Sequence, residues 1–267
     1  MNMKKKMLAL SLSSAVLLTA AIGGGTYALF TSKAANTENT FAAGTLSVSS
    51  HRNDVPVEGP MFYTNDTVAG GLMGTGLWAP RDVHTRALLI KNTGSLDAKL
   101  KYVKAIPEGT SAEQATALEF GSQAIATVAA LTTSNGEVLD ATAIDIINSE
   151  IDATFKDLIS GNFFERIAAV GIQAAFAEIS EALLDATYTV DNNGHSVTVG
   201  VSDIYVGKLS DLASGQSAIL PNLVLKAGQT MHLGYTVLFL DDVNNNAIQN
   251  KTVKFTFDNQ FEQAANN

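Results

Sequence analysis

The chain carries four histidines and no cysteine. His51, His84, His195 and His232 lie far apart, and no His-Glu-x-x-His occurs, which excludes a helical zinc-protease site. A zinc centre would have to be assembled from distant strands, with imidazole and carboxylate ligands. The plainer role for each histidine is a surface or turn residue: His232 alternates with Met231 and Leu233, and His195 follows the Asn193-Gly194 turn. The lack of cysteine removes disulfides, thiolate metal sites and a cysteine nucleophile. Asp242-Val243-Asn244-Asn245-Asn246-Ala247 spaces oxygen ligands like the first half of a calcium loop. Its sixth position is Ala247 where such loops need Gly, and its twelfth is Val253 where they need Glu, so a plain loop is the better reading. Gly70-Gly71-Leu72-Met73-Gly74-Thr75-Gly76 lacks the Lys-Ser/Thr ending of a phosphate loop and reads as a surface loop anchored by Trp78 and Pro80. Neither a serine-nucleophile motif nor a dinucleotide fingerprint is present. No catalytic or cofactor-binding residue is therefore assigned, and zinc or calcium remains a minor alternative.

The start of the chain speaks of export. Lys4, Lys5 and Lys6 form a cationic region, Met7 to Ile22 an apolar one shorter than a membrane span, and small residues follow. This is the pattern of a cleavable signal peptide, residues 1–28. Its removal takes three lysines and no acid, leaving 239 residues with 14 basic and 26 acidic side chains, a formal charge of −12. Such acidity argues against a nucleic-acid partner, which needs a basic footprint. No later apolar run is long enough for a transmembrane anchor. The polar end, Gln263 to Asn267, shows no wall-anchoring tail, so retention at a cell surface would rest on assembly or adsorption.

The signal runs into Gly23-Gly24-Gly25-Thr26-Tyr27-Ala28-Leu29-Phe30 and then Asn39-Thr40-Phe41-Ala42-Ala43-Gly44-Thr45-Leu46. These residues resemble the TasA/camelysin family of Gram-positive bacteria. Leu89-Ile90-Lys91-Asn92-Thr93-Gly94-Ser95-Leu96 is similar to that family's Asn-x-Gly-Ser-Leu turn between core strands, and Lys254-Phe255-Thr256-Phe257 to the end of its C-terminal hairpin. Family members form extracellular biofilm matrix fibres, and some are classified as secreted metalloproteases. The resemblance implies cleavage between Ala28 and Leu29, and Ala28 independently meets the small-residue requirement.

Both ends of the mature chain alternate apolar and polar residues. Val253, Phe255 and Phe257 share one face, as do Met231, Leu233, Tyr235, Val237 and Phe239, and the two runs read as an antiparallel pair. Further strands are expected at Thr45 to Ser49, Ala87 to Asn92, Ala98 to Lys104, Ser196 to Val201, Ile204 to Lys208 and Ala218 to Leu225, with a hairpin at Asn193-Gly194. Between them, about 108–185, the sequence is Ala/Leu/Ile/Glu-rich, with a stripe through Phe164, Ile167, Ala168, Gly171, Ile172, Ala175, Phe176, Ile179 and Leu183. Ser111 offers an N-cap with Gln114 at N3. The expected fold is mainly β, a jelly-roll-like β-sandwich over 45–267 with a helical insertion, preceded by an N-terminal arm at 29–44.

An exported sandwich without an evident catalytic constellation still has strand edges that can accept a strand from another chain. Leu29 to Thr40 lacks Gly and Pro, and Phe30 and Phe41 flank it as apolar anchors. Leu29, Phe30 and Phe41 are therefore the candidate assembly residues, and donor-strand exchange is also what the family resemblance implies. The expectation is a secreted structural subunit whose partners are copies of itself, with an accessory matrix protein as a further candidate. The alternatives are a secreted camelysin-like metalloprotease and a monomeric binding module.

Overall fold

The computed structural model describes residues 44–52, 61–62, 78–213, 220, 222–240, 248 and 251–264. The chain divides into two compact units, residues 1–44 and 45–267, and the architecture below is that of the second. Its strands are β1 (Val48–His51), β2 (Val83–Asn92), β3 (Ala98–Pro107), β4 (Ala124–Thr133), β5 (Thr187–Asn192), β6 (His195–Lys208), β7 (Val224–Leu225), β8 (Thr230–Phe239) and β9 (Phe255–Gln263). Its helices are α1 (Ser111–Ser122), α2 (Ala141–Ser160), α3 (Phe163–Val170), α4 (Ile172–Asp185) and α5 (Leu209–Ala213). A six-stranded antiparallel sheet of order β1-β2-β8-β4-β6-β5 stacks on a three-stranded sheet of order β7-β3-β9. The unit is a mainly β sandwich with a helical insertion.

The larger sheet is covered on both sides. From β4, Ile125, Ala129 and Leu131 join Ile144, Ile147, Ile151, Phe155, Ile179 and Leu183 of the helices in one core. The intervening Ala124, Ala126, Val128 and Ala130 join Leu100, Val103 and Ala105 of β3 in a second core, with Phe120, Leu209 and Leu212 from α1 and α5. Burial on both faces removes alternation, because no position faces water. Ala124 to Leu131 are accordingly all buried, as are His232 to Phe239 of β8.

Four expectations change. The stretch 108–185 is not wholly helical: β4, a central strand, interrupts it, and the inserted helical layer is α2 to α4. The two C-terminal runs are not a pair, since β8 bonds to β2 and β4 while β9 bonds to β3 in the opposite sheet. They meet face to face instead, Tyr235 edge-on to Phe257 with ring centroids 5.4 Å apart. The N-cap of α1 is Thr110, one residue early, with Glu113 closing a reciprocal capping box. The helical stripe breaks at Gly171, whose φ of +92° ends α3 and is a conformation that glycine tolerates best. The hairpin signal held: Asn193 and Gly194, both with positive φ, make the β5–β6 turn. The Trp78 ring packs against Phe62, His84 and Phe120.

Phe155 has no exposed surface and sits at the centre of the helix–sheet core. Phe155→Ala should cost about 3–5 kcal/mol in equilibrium urea unfolding. An unchanged midpoint would mean that the helical layer does not unfold together with the sandwich.

Candidate functional site

Ala28, Leu29, Phe30 and Phe41 lie outside the described residues, as do the glycine-rich stretch 70–76 and residues 242–247 of the calcium-like loop. What the structure describes in detail is the root of the N-terminal segment, where the second unit begins. The Thr45 amide donates to Ser95 Oγ at 2.9 Å. The Thr45 carbonyl accepts from the amides of Ser95 and Leu96 at 2.9 and 3.2 Å, and the Ser47 carbonyl from those of Thr93 and Gly94 at 2.8 and 3.2 Å. The Asn92–Leu96 corner between β2 and β3 thus grips the chain just ahead of β1.

Asn92 organises that corner from within. It is fully buried. Its Nδ2 donates to the carbonyls of Leu96 and Leu225 at 2.8 and 3.0 Å, and its Oδ1 accepts from the Gly94 amide at 3.0 Å. One side chain therefore ties β2 of the large sheet to β7 of the small one. The Ala264 amide donates to the Asp97 carbonyl at 2.8 Å, bringing the end of β9 to the same place.

The histidines do not converge. His51 and His232 share the helix-facing side of the large sheet, two strands apart with Leu89 between them in register. His84 points to the other face, its ring 4.8 Å from that of Trp78, and His195 opens β6 at the far hairpin. No group of three His, Cys, Asp or Glu suited to a metal occurs among the described residues. A catalytic zinc takes three protein ligands, so the described residues do not fit one. His232 is also not the surface residue expected from sequence, being only 3 % exposed.

Against this geometry stands a comparison by family. The model of the camelysin metallo-endopeptidase family matches residues 2–60. The match supports the TasA/camelysin family. It spans the expected signal and arm together with β1, and of its length residues 44–52 are described together. No curated protein matches the chain. The camelysin-type region therefore ends where the corner has already taken hold of the chain, while the metal ligands of a peptidase are not supplied by the described part of the sandwich.

The sequence reading passed over a polar seam inside the helix–sheet core. Thr85, Thr236 and Thr127 form one row across β2, β8 and β4, and the hydroxyls of Thr85 and Thr236 lie 2.9 Å apart. Asp152 of α2 lies by this row, close enough to Thr85 for that residue to favour its charged form. Burial raises its pKa to about 6, against the lowering effect of Thr85, Arg86 and Lys156. One turn earlier Asn148 is 1 % exposed, and its amide atoms make no hydrogen bond to another protein group. The available signal was two polar residues four apart inside the apolar stripe of Ile144, Ile147, Ile151 and Phe155.

Burial, with a smaller contribution from the charge of His51, lowers the His232 pKa to about 4. The two buried groups act in opposite directions over one pH window. Asp152, raised from 3.8 to about 6, contributes stability that is complete below about 3.8 and lost as pH rises through about 6. His232, lowered from 6.5 to about 4, contributes stability present above 6.5 and lost as pH falls through about 4. On the order of 3 kcal/mol is at stake at each. Asp152→Asn should gain on the wild type as pH rises from about 4 to about 7, and His232→Gln should gain on it as pH falls over the same range. Urea midpoints across pH check both, and parallel curves for all three proteins would refute buried titration.

Proposed function

We propose that the chain is an exported subunit of extracellular biofilm matrix fibres. Cleavage between Ala28 and Leu29 frees an N-terminal segment that adds as a strand to the sheet edge of the next copy. The observation that carries the reading is the family match over residues 2–60, which contains the whole of that segment. Leu29, Phe30 and Phe41 are its anchors, with the aromatic rings filling apolar pockets of the neighbour.

The edges of the sandwich support this reading. Among the described residues β5 and β9 each pair on one side only. A strand with one free side offers backbone donors and acceptors to another chain. On β9, Phe255, Phe257 and Phe261 are only half-buried, so an added strand has apolar surface to cover as well. Head-to-tail addition of this kind does not close on itself and propagates as a filament.

The protease reading rests on the family's description alone, and the separation of the four histidines speaks against it. Electron microscopy of the secreted, processed chain should show filaments, and a chain beginning at Phe41 should remain monomeric with β-rich circular dichroism. Filaments of equal yield from the shortened chain would overturn strand donation. Casein hydrolysis by the same preparation, abolished by a chelator, would instead establish the peptidase.

A further inference from the structure

Gly94 is the one residue of the β2–β3 corner whose identity is dictated by its neighbour. Its φ is not in the left-handed region, so its backbone conformation does not call for glycine. A Cβ on Gly94 would lie 2.2 Å from the Thr45 carbonyl oxygen and 2.7 Å from the Ser47 amide nitrogen, distances that no side chain can occupy. The glycine is there so that the N-terminal root can lie directly against the corner. Ser95 adds to the grip, its hydroxyl taking the Thr45 amide while its own amide serves the Thr45 carbonyl.

A turn that only joined β2 to β3 would need none of this. The corner is tied into everything around it. Asn92 bonds through its side chain to β7 and through its backbone to Gly228 and Gln229, the turn before β8. Asp97 accepts from the Ala227 amide through its carboxylate and from the Ala264 amide through its carbonyl. β1 itself pairs over only four residues. A pull on the chain ahead of Thr45 thus meets the corner before it meets β1, and from the corner it passes into both sheets.

We infer that the Asn92–Leu96 corner is the anchor of the N-terminal segment, with Asn92, Gly94 and Ser95 as positioning residues that hold its root while a neighbouring copy holds its other end. This rests on the assembly reading above and gives one place in the sandwich a task within it. The segment donates its strand productively only if its own end is fixed, because a slack root lets the two subunits move apart without breaking the exchanged strand.

The test compares the wild type with Gly94→Ala and Ser95→Ala, all secreted and processed, together with a synthetic peptide of residues 29–43. Gly94→Ala should expose Thr45 to Ser47 to hydrogen exchange while β4 and β8 stay protected. It should still bind the peptide, because its accepting edge is untouched, yet form filaments that fragment under brief sonication or none at all. Ser95→Ala, which loses one bond and adds no atom, should show the same defect in smaller degree, and it decides the matter if Gly94→Ala does not fold. Filaments of wild-type length and sonication resistance from a variant whose root has been freed would overturn the anchor while leaving strand donation standing. A wild type that neither forms filaments nor binds the peptide would overturn the assembly reading and the anchor with it.

Discussion

Burial of the large sheet on both faces is the constraint from which the remaining architecture follows. Its central strands must place an apolar or internally satisfied group at every position, since neither side meets water. β4 does so with Ala, Ile, Val and Leu, apart from Thr127, whose buried hydroxyl makes no hydrogen bond to another protein group. β8 does so with Tyr235 donating its hydroxyl to Asn259 of β9 on one side, and with Thr236 bonded to Thr85 on the other. Small residues keep the helix-facing surface low: Ala87, Gly234 and Ala129 form one row across β2, β8 and β4. The adjoining row is the threonine seam where Asp152 reaches the sheet.

The same constraint explains which parts of the fold were legible in the sequence. Alternation is plainest where one face is wet, as in β5, whose residues are exposed and buried by turns, and it survives in doubly buried β8 because His232, Gly234 and Thr236 occupy one face. The Asn193-Gly194 turn was legible because its backbone demands those residue types. β4 was not: a doubly buried, alanine-rich strand carries no period of two and takes on the composition of the helices beside it. The C-terminal runs were recognised as strands, but their partners were not, because facing sheets and paired strands both call for apolar residues along one side. Proximity in sequence favoured a hairpin, and the packing of Tyr235 on Phe257 placed the strands in opposite layers.

The candidate site divides along similar lines. The expected signal and almost all of the expected arm fall outside the described residues, and the described fold adds information only from the root at Thr45 onward. The Asn92–Leu96 motif was recognisable by resemblance, yet its physical reason is a contact between residues almost fifty positions apart. His232 looked like an outward residue of an alternating strand. Its side chain lies on the same face of the large sheet as that of His51 and is almost fully buried.

Two ionisable groups on the large sheet's interior side are pushed by burial in opposite directions. Asp152 is held toward its acid form and His232 toward its neutral form, so each is uncharged where the other begins to be strained. At pH 5, between the two shifted values, the core holds little charge at either site. At that pH both withhold the charge that they would carry in water; as pH rises the cost shifts to Asp152, and as pH falls it shifts to His232. Their free-energy costs run against each other across the interval, which leaves the pair a shallower dependence on pH than either group alone.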